Sequence, residues 1–209
     1  VTLDQLYRSI YYHQAVRSST QMLLSLFRRA VELHKRGTET FPAIGKRPSP
    51  MVAIIEKGGE ISLEEYGGLC DSTVWQLIQF WKDSSDLVMS ALSRMLLKRD
   101  LLKAISLKNK DFNAVSALKE RAIELTADVL GSKEAAPFFV TVDDQSRTSY
   151  KGYNFNPESD DESIWLTGGN EIDRPLQDEP DSAIVVALKN QMHFPRLIVL
   201  DEVRRILLS

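Results

Sequence analysis

At 209 residues the chain is long enough to bury a sizeable core, as one domain or a domain with a subdomain. A formal net charge of −3 argues against general binding to nucleic acid or anionic membrane, and no apolar run approaches the ~18 residues of a membrane span. The single cysteine, Cys70, excludes an intrachain disulfide and suits a reducing, cytoplasmic setting. The chain opens on Val1 inside a helical pattern, with no signal-peptide layout, and closes on the apolar EVRRILLS, so it reads as part of a longer protein.

Leu3 to Gly37 reads as one long helix. Tyr7 and Tyr11 stand one turn apart on it, with Ile10, His13 and Arg17 on a neighbouring stripe. Further along, Met22, Leu23, Leu26, Phe27, Ala30 and Val31 recur at core spacing before Gly37 ends the pattern. Rings beside a His and an Arg suit a wall for a charged, ring-bearing ligand. The same set also suits core packing with satisfied polar tips, and the residues alone leave both open.

Thr38 to Pro50 is a Pro- and Gly-punctuated connection carrying Lys46 and Arg47. A short helix follows around Met51–Lys57, and Ser62 with Glu65 three residues on is a capping-box pattern. Asp71 or Ser72 is expected to cap the next helix, with Val74, Trp75, Leu77, Ile78 and Trp81 as its apolar face. Asp83-Ser84-Ser85 separates this from Asp86–Leu102, where Leu87, Val88, Ala91, Leu92, Met95 and Leu96 form a helical stripe. The second half of LLKAISL (Leu101–Leu107) reads as a strand, and Phe112–Leu130 as a helix stopped by Gly131.

The texture then changes. PFFVTVDD, SIWLT and FPRLIVLDEV carry strand patterns, the last running into a short helix, with another helix expected at Ile184–Asn190 and a polar loop at Gly152–Glu162. The fold class is therefore a mainly α-helical body with a small C-terminal α+β layer, divided into a helical domain at 1–130 and an α+β subdomain at 131–209.

The chemistry-bearing groups are sparse. Gly45-Lys46-Arg47-Pro48 lacks the upstream glycine and the Ser/Thr of a P-loop, so it is a basic loop. His13, His34 and His193 sit far apart and outside any metal-ligand motif, and no nucleophile-elbow glycines surround a serine. Asp143-Asp144 ends a predicted strand and is expected to make a turn through its own backbone. Arg94, Lys98, Arg99, Lys103, Lys108 and Lys110 form a basic run, by default a solvated face and alternatively a phosphate contact.

One likeness goes further. Leu6-Tyr7-x-x-Ile10-Tyr11-Tyr12-His13, then Val16-Arg17 and Met22-Leu23, resembles the MYxxVYxHxxVRxxExML helix of HD-domain phosphohydrolases, bacterial relatives of the sterile-alpha-motif HD enzyme that cleaves deoxynucleoside triphosphates. The likeness continues in order through Leu63-Glu64-Glu65-Tyr66, Asp71-Ser72-x-x-Trp75 and Lys98-Arg99-Asp100-Leu101-Leu102-Lys103-Ala104. FFVTVDDQSRTSYKGYNF, SIWLTGG and FPRLIVL resemble the closing strands of that family's C-terminal lobe.

The resemblance implies a helical lobe that builds one wall of a nucleotide or phosphate-ester pocket and makes homo-oligomer contacts. Tyr7, Tyr11 and Arg17 would be substrate-binding, Tyr11 packing on the sugar, while His13 and Arg94 match positions near a nucleotide-regulatory region. The family's site uses a His, a His-Asp dyad and a distant Asp to hold a divalent metal (Mn, Mg, Fe or Zn) and activate water. No His in this chain is followed by Asp, so this chain alone carries no catalytic residue, metal ligand or cofactor, and is expected to be inactive. Two further departures are Leu3 where the family often has arginine and Gln14 where it has lysine. A non-catalytic nucleotide-sensing or dimerisation module is the alternative, and Leu87, Ala91 and Arg94 would then form contact surface.

Overall fold

A computed structural model describes residues 5–43, 49–57, 60–148, 165–167, 174–175 and 191–209. The expected helix at Ile184–Asn190, the polar loop at Gly152–Glu162 and the basic loop at Gly45–Pro48 lie outside the described residues. The chain divides into two compact units, Val1–Tyr12 with Asp144–Pro195, and His13–Asp143 with Arg196–Ser209. The boundary expected at residue 130 marks the end of a helix within the larger unit.

The expected single opening helix is interrupted. Tyr7–Tyr11 is a π-helical turn, closed by the Tyr12 N–H on the Tyr7 carbonyl at 2.8 Å. His13 is extended (φ −60°, ψ 138°), and its Nδ1 accepts the Ala15 N–H at 3.3 Å. It thereby caps a new helix, α1 (Gln14–Lys35). The wider π turn and the extended cap break the regular pitch that the apolar spacing suggested.

Met22, Leu26 and Ala30 of α1 are fully buried, with Leu23, Phe27 and Val31 packed around them. This face meets α5 (Leu87–Lys98) through Val88, Met89 and Leu92. The Asp86 side chain caps α5 by accepting the Met89 N–H at 3.0 Å. The helix stops at Arg99 in the left-handed region (φ 58°), three residues before the expected end at Leu102. Between them lie α2 (Pro50–Lys57), α3 (Leu63–Gly67) and α4 (Asp71–Trp81).

The capping box ahead of α3 is complete: Ser62 Oγ accepts from the Glu65 N–H, and Glu65 Oε2 accepts from the Ser62 N–H. The Lys57 ammonium and these Ser62 contacts lower the Glu65 carboxyl to about 2. For α4 the cap position falls one residue earlier than expected. It is Cys70, whose side chain bonds no helix N–H, while Asp71 enters the first turn. Within α4 the expected apolar face is split, because Leu77, Ile78 and Trp81 are buried but Trp75 is 53% exposed.

The apolar run LIV (Leu197–Val199) builds a strand buried on both faces. Strand order is β1 (Lys103–Ser106), β5 (Gln191–Val199), β2 (Thr141–Thr148), with β1 antiparallel to β5 in the register Lys103↔Val199 to Ser106↔Arg196. Successive β5 side chains point to opposite faces. Leu197 and Val199 join Ile105, Ala122 and Leu125 beneath α6 (Phe112–Leu130) and α7 (Asp201–Leu208), whereas Ile198 joins the α1/α5 core. Asp111 caps α6 through the Ala114 N–H, and Gly131 (φ 65°) ends it as expected.

Pro137 and Phe138 of the expected strand PFFVTVDD instead belong to a 3₁₀ turn, Ala136–Phe138, capped by Phe139 before β2 begins. In the smaller unit, β3 (Trp165–Leu166) pairs antiparallel with β4 (Arg174–Pro175). A helical body with a small α+β layer is thus the observed class.

Candidate functional site

Of the residues assigned from the resemblance, Tyr7 and Tyr11 belong to the smaller unit, and His13, Arg17 and Arg94 to the larger. Within the smaller unit the π turn brings Tyr7 and Tyr11 to 4.9 Å between ring centroids and Tyr7 and Tyr12 to 5.8 Å. Tyr12 in turn meets Phe194 at 5.2 Å, so Tyr7 and Tyr12 are part of an aromatic cluster while Tyr11 stays 50% exposed. His193 and Asp144, both exposed, form a second polar pair on the same unit.

In the larger unit, the Arg17 guanidinium grips Asp143 with two bonds: Nε to Oδ2 at 3.0 Å and Nη2 to Oδ1 at 2.6 Å. Gln21 Nε2, one turn along α1, donates to the same carboxylate at 2.9 Å. Asp143 is 1% exposed. The turn expected at Asp143-Asp144 is therefore corrected: β2 runs through to Thr148, and Asp143 is an interior strand residue ionically tied to α1. Arg196 lies beside this pair. Burial lowers its pKa, the Asp143 charge acts the other way, and Arg17 adds to the lowering. Arg94 is exposed and donates from Nε to the Lys82 carbonyl at 2.9 Å.

Grooves of about 520 to 580 Å³ open on the larger unit, one on α7 and two against α1, and none of the five assigned residues lines any of these; the two against α1 are the better built for a ligand. The first, of about 550 Å³, runs between α1 and α6 and carries Arg28, Arg36 and Lys119 beside Phe138 and Glu134. Beneath it Arg29, 7% exposed, is held by Asp86 at 2.8 Å and Glu134 at 3.0 Å. Those hydrogen bonds, Asp86 foremost, outweigh burial and raise its pKa further. The second groove, of about 580 Å³, is more apolar and lies against Val16, Leu23, Trp75, Leu96 and Arg99. The helical spacing Arg28–Glu32–Arg36 is the sign of the first groove that the sequence offers; the second needs three helices at once and has no local signal.

Among the described residues no group of three or more His, Cys, Asp or Glu side chains is arranged to hold a metal ion, so their donors do not fit a hydrolytic metal centre. Nor is any described helix long and apolar enough to cross a membrane. Cys70 is exposed, and the Ser72 and Thr73 hydroxyls beside its sulfur lower its pKa to about 7. Because the thiolate is the nucleophile, iodoacetamide labelling should rise with a midpoint near 7 rather than the ~8.5 of a free thiol. Ser72→Ala should move that midpoint upward, as followed by mass spectrometry across pH; a midpoint at the free-thiol value in the unmodified protein would remove the effect.

The chain's fold has a solved counterpart. It superposes on the crystal structure of a phosphohydrolase from Bacteroides thetaiotaomicron VPI-5482 with a TM-score of 0.69 and 20% identity, over 95% of this chain and 48% of that one. At the sequence level it is similar to the uncharacterized protein YwfO of Bacillus subtilis strain 168, with 25% identity over 208 residues, or 94% of this chain and 44% of that protein. No family model matches. The chain spans about half the length of each relative.

Proposed function

We propose that this chain forms the C-terminal part of a cytoplasmic, homo-oligomeric HD-superfamily phosphohydrolase acting on a nucleotide or another phosphate ester. In this reading Tyr7, Tyr11 and Arg17 belong to the substrate wall, and His13 and Arg94 to a nucleotide-regulatory surface. The divalent metal and its His-Asp ligands belong to another part of the enzyme. The observation that carries the reading is the match of fold to a phosphohydrolase over 95% of the chain, in step with the ordered resemblance of its motifs. The half-exposed Tyr11 ring, supported from behind by Tyr7, supports it further, because a ring with a free face offers a sugar or base a stacking partner.

Thermal-shift measurements with deoxynucleoside and ribonucleoside triphosphates test the pocket. A ligand at 100 times its dissociation constant stabilises the folded state by about 2.7 kcal/mol. That shift should be seen with at least one nucleotide and should shrink in Tyr11→Ala, whose exposed ring leaves the fold intact. Phosphate release by the enzyme carrying the HD residues, with manganese or magnesium, tests the chemistry. Binding without release would favour the nucleotide-sensing module, and no shift with any nucleotide would refute the pocket.

A further inference from the structure

We infer that the groove between α1 and α6 is a second ligand site, for a phosphorylated small molecule with an apolar or aromatic moiety, sharing no residue with the Tyr7/Tyr11 wall. Arg28 and Glu32 lie one turn apart on α1, Arg36 caps its end four residues on, and Lys119 faces them from α6 across the groove. The lining carries four cations, Arg28, Arg29, Arg36 and Lys119, against two carboxylates, Glu32 and Glu134. Both carboxylates are already engaged. Glu32 lies 3.4 Å from Arg29, and Glu134 lies 3.0 Å from Arg29 and 3.6 Å from Arg36. Among the described residues, Arg28 and Lys119 make no ion pair. Asp86, which holds Arg29 from below at 2.8 Å, is a third carboxylate against the four cations, so the groove keeps a net excess of one positive charge on a chain whose net charge is −3.

Its cations are also partly ordered before any ligand arrives. The Arg28 guanidinium sits 4.8 Å from the Phe138 ring centroid, which limits the freedom lost on binding. Arg28 and Arg36 are eight residues apart, about 12 Å along the helix, too far for the backbone positions to serve one phosphate equally. A chain of phosphates, or a phosphate with a body attached, matches that span. Ile123 and Val142, half-buried on the lining, supply apolar surface that a bare inorganic anion would not use.

Calorimetric titrations with ATP, tripolyphosphate and adenosine, on the chain itself and on two variants, test this. ATP should bind more tightly than either fragment of it. Arg36→Gln/Lys119→Gln, both exposed positions, should weaken ATP by about tenfold or more with an unchanged circular dichroism spectrum. Tyr11→Ala should leave this binding event in place. Unchanged ATP affinity in the double variant overturns the inference, and so does tripolyphosphate binding as tightly as ATP. Loss of all nucleotide binding in Tyr11→Ala alone would sink this site while sparing the proposed substrate wall.

Discussion

Replacing Arg17 by methionine is expected to lower the unfolding free energy by about 3–5 kcal/mol, the cost of leaving one member of a buried ion pair without its partner. Asp143 is 1% exposed, and Arg17 supplies two of the three hydrogen bonds described for its carboxylate, at 3.0 and 2.6 Å. Methionine keeps much of the aliphatic bulk but removes the two-pronged contact, leaving the Asp143 carboxylate with the neutral Gln21 donor and the nearby Arg196 charge. Replacing both partners, Arg17→Met with Asp143→Leu, should recover most of the loss, because an apolar pair of similar volume often serves as well as a buried ionic one. Urea denaturation with a shifted midpoint and an unchanged m-value checks both. A loss below about 1 kcal/mol in the single variant would mean that the pair behaves as an ordinary surface bridge.

The same residue separates structural from substrate roles. Arg17→Lys retains the charge but not the two-pronged geometry. If Arg17 also meets substrate phosphate, nucleotide affinity should fall in this variant at temperatures where the protein is fully folded. If its work is confined to Asp143, stability falls and affinity does not.

Trp81→Ala should cost about 3–5 kcal/mol, the usual range for deleting a large aromatic from a core. Trp81 is 1% exposed, with Phe27 and Phe41 edge-on at 5.2 and 5.8 Å. Its indole N–H also donates to the Thr40 carbonyl, while Thr40 Oγ1 donates to the Ala30 carbonyl at 3.0 Å. Alanine therefore opens a cavity and orphans a buried carbonyl, and it loosens the segment that returns from the end of α1. Trp81→Phe retains most of the ring packing and loses the hydrogen bond, so about 1–3 kcal/mol is expected. Thermal and chemical denaturation of the two variants, compared together, separates packing from polar satisfaction; equal losses would contradict the assignment.

Much of the architecture is legible in the sequence because its causes are local. The Ser62/Glu65 box, the Gly131 stop and the core stripe of Met22, Leu26 and Ala30 each depend on residues within a turn or two. The β-branched, unbroken apolar run in FPRLIVL likewise announces a strand whose two faces both find a core. The break at His13 is not legible, because apolar spacing continues across it and a π turn shifts the phase by only one residue. Asp143 reads as a turn residue for a related reason: its partner lies 126 positions away.

Chain order and residue type by themselves determined which segments coil, which extend, and that histidine and cysteine, at three and one, are few. Only the folded chain decided what the charges do. Whether an arginine faces solvent, a carboxylate or a groove depends on the element packed against it. Arg17 met Asp143, Arg29 met Asp86 and Glu134, and Arg28 kept its charge beside Phe138, although all three arise from the same helix. Periodicity assigns a face to each of them, but the Coulomb and desolvation energies that set its role depend on neighbours brought in by tertiary packing.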